Sequence, residues 1–286
     1  MAADSLIRPP EAAEDWTIPQ HWERYTAQEH AVWDTLFARQ SALLPGRATP
    51  EYLAGLDILH LSRPGIPNFE ELSEKLGKAT GWSVVAVPGL VPDEVFFEHL
   101  ANRRFVAGQF IRRPDQLDYL QEPDVFHDVF GHVPMLSHPV FADYMQAYGQ
   151  GGLRAMQYGA IDKLARLYWY TVEFGLVRTP AGLRIYGSGI VSSKGESIYA
   201  LESEKPKRLP FDLMRIMQTD YRIDDFQDIY FVIDSYEQLM DATRPDFQPI
   251  YQRLAAEPSI PAGEILAADR VFHRGTGEGW ANDGDV

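Results

Sequence analysis

A mostly α fold, one compact helical domain with a few short strands, follows from three features of the 286-residue chain. Long segments carry apolar residues at helical spacing. The β-branched runs that suit strands are few and short. No internal repeat and no clear linker divides the sequence.

Residues 1–20 are rich in Pro, Ala and Glu and show no periodicity, so they read as a loose N-terminal arm ahead of a domain spanning 21–256. In 24–44, Tyr25, Trp33, Leu36, Phe37, Leu43 and Leu44 alternate with polar residues as on an amphipathic helix. Shorter helices are expected at 49–60 and at 68–79, the second capped by Asn68. Trp82 to Val87 suits a short strand, Pro88-Gly89-Leu90-Val91-Pro92 a turn, and 93–102 a helix. Phe105 to Ile111 is a second strand candidate, and the stretch around His127 is helical until Pro134 ends or bends it. Helical patterns fill 139–158 and 160–177, with Gly149-Gln150-Gly151-Gly152 interrupting the first. Leu183 to Tyr186 and Ile229 to Ile233 suit strands, and 192–201, 210–219 and 235–243 suit helices. From 257 to 286 the Gly-, Ala-, Asp- and Glu-rich composition predicts a flexible tail.

Composition narrows the chemistry. The chain has no cysteine, which removes disulfides, thiolate nucleophiles and Cys-held zinc or iron–sulfur clusters, so any metal must be held by His, Asp or Glu. A net charge of −15 repels nucleic acid and anionic membranes. No signal peptide is recognisable and no apolar run reaches eighteen residues, so a cytoplasmic protein is the expectation.

The most informative stretch is Glu122-Pro-Asp-Val-Phe-His127-Asp-Val-Phe-Gly-His132-Val-Pro134, followed about forty residues later by Glu173 in the apolar run from Leu167 to Gly175. Two imidazoles and one carboxylate can occupy one face of a metal and leave the other open, the arrangement of non-haem Fe(II) oxygenases. On an ideal helix a spacing of five turns the second histidine about 140° from the first. Both can face one metal only if the helix is distorted, and Gly131 and Pro134 bracket His132 suitably. The zinc-protease pattern needs His at i and i+4 and is absent. A plainer reading stands beside this one: core histidines satisfied by hydrogen bonds, and Glu173 on a solvent face paired with Arg166 or Lys163.

Tyr168, Trp169, Tyr170, Phe174, Phe126 and Phe130 crowd the same segments, as walls for a flat ring or as ordinary aromatic core. Arg112 is placed either to hold a substrate carboxylate with its two-pronged guanidinium or to stand as a surface charge beside Arg113.

Four motifs in order carry a resemblance. They are Glu122-Pro-Asp-x-x-His-x-x-x-Gly-His-Val-Pro134, Tyr168-Trp-Tyr-Thr-Val-Glu-Phe-Gly175, Tyr186-Gly-Ser-Gly-x-x-Ser-Ser-x-Gly-Glu196 and Ser203-Glu-Lys-Pro-Lys207. Together they resemble the tetrahydrobiopterin-dependent aromatic amino acid hydroxylases, most of all the single-domain bacterial phenylalanine 4-hydroxylases; weaker similarity runs from about 20 to 245. The resemblance implies a monooxygenase that converts L-phenylalanine to L-tyrosine with O2, a tetrahydropterin and a mononuclear Fe(II). His127, His132 and Glu173 would be the iron ligands. Arg112 would bind the substrate α-carboxylate, Asp124 would hold that region, Trp169 would flank the substrate ring, and Ser192 and Glu196 would lie on the substrate side, Ser192 orienting a ligating imidazole. On the pterin side, Phe96 would stack on the ring, the Gly89-Leu90-Val91 turn would contact it through its backbone, and Tyr168 and Asp128 would complete the pocket.

Asp128 stands where animal members usually have Glu, and Leu120 where they have Thr. The apolar Ile223 occupies a position at which tyrosine hydroxylases have an acid, which favours phenylalanine by family analogy. The regulatory domain and coiled-coil tail of animal members have no counterpart in the sequence, so a monomer is expected. Two other classes remain open at this stage: a zinc hydrolase using the same three ligands with a metal-bound water, and a non-enzymatic pterin or amino-acid binder.

Overall fold

A computed structural model of the chain describes residues 6–118 and 122–272. Its helices begin where the sequence supplies caps. Thr26 opens α1 (Ala27–Leu43) with a capping box to Glu29, and Asn68 opens α3 (Phe69–Thr80) by accepting the N–H groups of Glu70 and Glu71. Each such cap contributes about 1 kcal/mol. Between them lies α2 (Pro50–Ile58), capped by Thr49. The first βαβ step runs β1 (Ser83–Val87), α4 (Asp93–Ala101), β2 (Arg104–Gly108), and the two strands pair in parallel from Ser83↔Arg104 to Val87↔Gly108.

The His127 segment forms a π-helical turn over Phe126–His132, continued by a 3₁₀ turn over Val133–Ser137. Then come α5 (Pro139–Gln157) and α6 (Ile161–Tyr168), and α6 runs into a second π turn, Trp169–Glu173. The remainder wraps a four-stranded mixed sheet: β3 (Leu176–Thr179), β4 (Gly182–Ile185), α7 (Ser188–Val191), α8 (Lys194–Glu202), β5 (Lys207–Pro210), α9 (Leu213–Gln218), β6 (Ile229–Ile233), α10 (Tyr236–Thr243) and α11 (Gln248–Ala256). Strand order is β4-β3-β6-β5, with β3–β4 antiparallel and β6 parallel to both neighbours. All five residues of β6 are buried, which is why it reads as an unbroken apolar run.

A single hydrophobic cluster joins α1 through α11, and Trp33, Leu36, Phe126, Phe130 and Tyr230 are fully buried in it. Removing a side chain of that size from water is worth about 1.5–3 kcal/mol, so the two π turns are bolted to the centre of the molecule by Phe126 and Phe130. Those two rings stack at 4.7 Å, Trp33 meets Phe126 edge-on, and the Tyr52 hydroxyl donates to the Phe130 carbonyl at 2.7 Å.

Several sequence expectations need correction. Of the arm expected to be loose, the described part is docked: Trp16 is 8% exposed, the Ile18 N–H donates to the Ala86 carbonyl at 2.9 Å, and Asp15 pairs with Arg104. One buried indole anchors a stretch whose average composition hides it. The described part of the expected tail, 257–272, is also tied down: Ile260 exchanges backbone bonds with Gln218 and Asp220, and Asp269 pairs with the buried Arg215. Residues 1–5 and 273–286 of those two calls lie outside the described residues. The glycines at 149–152 do not interrupt α5, and the helical pattern at 160–177 stops at Glu173 and passes into β3. Strand β5 and helix α11 carried no clear sequence signal.

Candidate metal centre

The two π turns bring the three candidate ligands together. On an α-helix a spacing of five separates side chains, whereas a π turn closes i to i+5 and stacks them. The His127 and His132 Nε2 atoms are 3.2 Å apart, and Glu173 reaches them with Oε1 at 3.1 Å from His132 and Oε2 at 3.6 Å from His127. In the second turn the Phe174 N–H donates to the Trp169 carbonyl five residues back at 2.9 Å, which turns Glu173 toward the histidines. The distortion demanded by the histidine spacing is therefore a widened turn across the whole segment rather than a kink at Gly131 and Pro134.

The donor set fits a metal. Ligand atoms at right angles on bonds of about 2.1 Å stand about 3 Å apart, close to the separations seen. Burial pushes His127 down to about 4, so its ring is neutral at neutral pH. Burial opposes the charge of Glu173, but the neighbouring imidazoles and the Ser188 hydroxyl, which donates at 2.8 Å, outweigh it and hold the carboxyl at about 2. The Ser192 hydroxyl donates to the Ser188 carbonyl at 2.7 Å, so it accepts from His127 Nδ1 at 3.0 Å. That arrangement puts the His127 proton on Nδ1 and leaves the Nε2 lone pair facing the other two ligands. The His127 lone pair, the His132 Nε2 and the Glu173 carboxylate are thereby turned toward one point, the donor chemistry a cation would take up.

The loop before α7 explains the glycine motif. A Cβ on Gly187 would stand 2.5 Å from the Glu173 carbonyl oxygen and 2.5 Å from the Gly175 nitrogen. Only glycine lets this loop approach closely enough for Ser188 and Ser192 to reach their ligands.

Among the expected pterin contacts, Gly89, Leu90, Val91, Phe96, Asp128 and Tyr168 all line one open cleft of about 900 Å³ that ends on His127, His132 and Glu173. Tyr168 meets Phe96 edge-on at 6.0 Å. Asp128 Oδ2 accepts the Gly108 N–H at 2.8 Å, tying the metal turn to β2, and burial pushes its carboxyl up to about 7.

The expected substrate contacts lie off that cleft lining. Arg112 makes a two-pronged pair with Asp124, Nε to Oδ2 at 2.8 Å and Nη2 to Oδ1 at 2.9 Å. Asp124 also accepts the backbone N–H groups of Arg112 and His127. Burial works against its charge, but Arg112 and those N–H groups hold the carboxyl below its usual range. Trp169 stacks on Tyr221 at 4.4 Å and leans on Phe174 at 4.8 Å. Ser192 stands behind His127. Glu196 is 4% exposed, bonded to the Tyr230 hydroxyl and the Gln227 N–H, and burial pushes it up to about 7. Phe126, Phe130 and Tyr170 belong to the core rather than to a wall. Ile223 is 69% exposed and does not line the cleft, and Leu120 lies outside the described residues. Sequence reading missed Ser188, Gln227 and Tyr230. Ser188 lies inside a quoted motif, but neither of the others carries a local signal.

Comparison with known proteins agrees with this geometry. Residues 16–256 match the family of biopterin-dependent aromatic amino acid hydroxylases. The chain is 66% identical over 272 residues to a phenylalanine-4-hydroxylase of Ralstonia nicotianae, covering 95% of this chain and 87% of that one. It is 60% identical over 274 residues to the phenylalanine-4-hydroxylase of Chromobacterium violaceum, covering 96% and 92%. A solved structure of the C. violaceum enzyme with iron and phenylalanine bound matches with a TM-score of 0.88 at 59% identity, covering 91% of this chain and 95% of that one. With a facial His-His-Glu set at the end of an aromatic-walled cleft, and with likeness along nearly its whole length, the chain belongs to the biopterin-dependent aromatic amino acid hydroxylases.

Proposed function

We propose that the protein is a phenylalanine 4-monooxygenase, taking L-phenylalanine, O2 and a tetrahydropterin to L-tyrosine and a hydroxylated pterin. The observation that carries the reading is the facial set His127, His132 and Glu173, one side of which opens on the Phe96 and Tyr168 cleft. Iron held there would supply O2 activation, with the reduced pterin giving two electrons. The chain's own residues orient the partners and exclude water. Phe96 and Tyr168 offer ring faces to the pterin, while the Gly89-Leu90-Val91 turn and Asp128 offer polar groups at its edge. Among the described residues the lining includes Asp93, Glu122, Asp128 and Glu173 but no Lys or Arg, which suits a pterin without an anionic tail. Trp169 serves as the wall for the substrate ring, and the outer edge of the Arg112 guanidinium takes the α-carboxylate. No described helix is long and apolar enough to cross a membrane; the same reading makes the enzyme a cytoplasmic monomer, the second point tested by sedimentation of the purified chain.

The deciding experiment is tyrosine formation from phenylalanine with purified protein, Fe(II), a tetrahydropterin and O2, with and without a chelator. Chelator-sensitive, pterin-dependent tyrosine is the expected result. No tyrosine from iron-loaded protein would point to another aromatic substrate, and tightly bound zinc without hydroxylation would point to a hydrolase.

Two variants test the supporting residues. Ser192→Ala leaves the His127 Nδ1–H without its acceptor and is expected to weaken iron binding about 10–100-fold, measured by chelator competition. Unchanged iron affinity would remove Ser192 from that role. Arg112→Lys replaces a fork by a point charge that cannot serve Asp124 and a carboxylate together. It should raise the KM for phenylalanine about tenfold or more while iron content holds, because Asp124 keeps its two backbone N–H bonds. An unchanged KM would place the carboxylate elsewhere.

A further inference from the structure

The side chain of Gln227 is 3% exposed and fully engaged. Its Oε1 accepts the Trp169 indole Nε1–H at 2.9 Å, and its Nε2 donates to the Arg222 carbonyl at 3.0 Å. Its backbone N–H donates to Glu196 Oε1 at 3.2 Å, and the same oxygen takes the Tyr230 hydroxyl. Tyr230 belongs to the fully buried central strand β6 and Glu196 to α8. The indole is thus fixed on two sides by one loop: Tyr221 stacks on its face, 18° from parallel, while Gln227 holds its edge.

Trp169 shares a satisfied indole N–H with Trp22, whose Nε1 donates to the Ile66 carbonyl at 2.6 Å, but other indoles of the chain go without. The buried indoles of Trp33 and Trp82 have no hydrogen-bond partner for Nε1. A satisfied N–H is therefore not something this fold supplies to every tryptophan, although Trp169 is the less buried ring. Trp169 also starts the π turn that ends in Glu173, and its carbonyl accepts the N–H of Phe174. Any tilt of the indole is consequently measured against a fixed ligand, four residues away in the same turn.

We propose that Gln227 is a positioning residue: by holding the Trp169 indole in one plane, it sets where the aromatic ring of the substrate rests relative to the His127, His132 and Glu173 set. Gln227 does not touch the reacting atoms. This rests on the reading of Trp169 as the wall for the substrate ring. Its consequence is that the para position is selected partly by a hydrogen bond behind the wall, and that loosening the bond lets the ring shift so that pterin oxidation continues without para-hydroxylation.

The test uses iron-loaded full-length protein with phenylalanine and a tetrahydropterin. Gln227→Met keeps the unbranched stem and removes the acceptor. It should raise the KM for phenylalanine about tenfold, lower tyrosine formed per pterin oxidised at least about twofold and release some meta-tyrosine, with pterin oxidation at saturating phenylalanine changed less than about twofold. A loss of folded protein alone would lower both rates together and leave KM and coupling unmoved. In a Trp169→Phe background, which has no indole N–H, Gln227→Met should add less than about twofold, because neighbours that act through one contact are not additive. Unchanged KM and coupling in Gln227→Met, or its full effect persisting in Trp169→Phe, would overturn the proposal. If Gln227→Met does not fold, the indole N–H resonance of Trp169 in the unmodified enzyme decides: slow solvent exchange is expected, and free exchange would overturn it. A wild-type protein that forms no tyrosine defeats the functional reading itself. An active wild type with an indifferent Gln227→Met variant defeats only this inference.

Discussion

Glu173→Ala will lose iron and pterin-dependent tyrosine formation together. Glu173 supplies the only carboxylate of the three-ligand set, with oxygens 3.1 Å and 3.6 Å from the two imidazole nitrogens. Removing an outer-sphere partner of a metal ligand costs about 10–100-fold, so loss of a ligand itself should exceed about 100-fold in activity. Folding of the metal-free protein should not suffer. Its side chain is 13% exposed, and its main polar neighbour outside the histidines is the Ser188 hydroxyl, which keeps the Val172 carbonyl as an acceptor at 3.1 Å. The check is a pair of melting curves with iron content measured alongside. Added Fe(II) should raise the Tm of the wild type, because a ligand that binds only the folded state stabilises it by mass action, and should leave Glu173→Ala unmoved. A Glu173→Ala protein with normal iron and full activity would refute the ligand assignment.

That assignment was legible in the sequence for a physical reason. Residues that hold a metal must be particular residue types at fixed spacings, so they leave a mark even in a single chain. The spacing of His127 and His132 said more: it required a departure from α geometry, and the structure supplies it as a π turn. What the spacing could not say was where the strain would be taken up. Gly131 and Pro134 were the local candidates, and they act with distant partners: a Cβ on Gly131 would stand 3.0 Å from the Ser188 carbonyl oxygen, Pro134 lies in the 3₁₀ turn that ends the π turn, Phe126 and Phe130 are pinned against Trp33 and Tyr52, and Gly187 brings α7 close.

The same distinction runs through the fold. Capped helices and apolar strands were readable because their causes are local: Thr26 with Glu29, Asn68 with the N–H groups it accepts, and the five buried residues of β6. Strand β5 was not readable, because it carries Lys207, Arg208 and Pro210 and is held at the sheet edge by its parallel pairing with β6. The fully buried Arg208 donates to the carbonyls of Ala200, Ser203 and Pro206. Gln227 and Tyr230 were missed in the same way, since only the fold brings them to Glu196 and Trp169. Residues that act by reaching across the molecule have no spacing rule to betray them.

The glycines of α5 show how a local rule misleads and what measurement exposes the cause. Gly149, Gly151 and Gly152 suggested a break in the helix, yet α5 runs unbroken from Pro139 to Gln157. Gly149 is there for α4. A Cβ at position 149 would collide with the backbone nitrogen of Ala101 and come within 2.7 Å of the Leu100 carbonyl carbon. Backbone cannot rotate away as a side-chain tip can, so Gly149→Ala must push α4 off α5. Overpacking of this kind costs about 1–3 kcal/mol and more where nothing yields. In a chain of this size that corresponds to a Tm lower by roughly 2–6 °C. Because α4 carries Phe96 into the cleft, pterin affinity should fall with it. Gly151→Ala, two residues away in the same helix, should do the opposite. Its Cβ would meet nothing nearer than the Arg154 guanidinium at 3.9 Å, and replacing a mid-helix glycine by alanine typically gains about 0.5–1 kcal/mol. Opposite signs at 149 and 151 would establish that close approach, not helix propensity, keeps glycine at 149. A Gly149→Ala protein that melts with the wild type would show that α4 can move aside freely, and the packing argument for the cleft wall would fall with it.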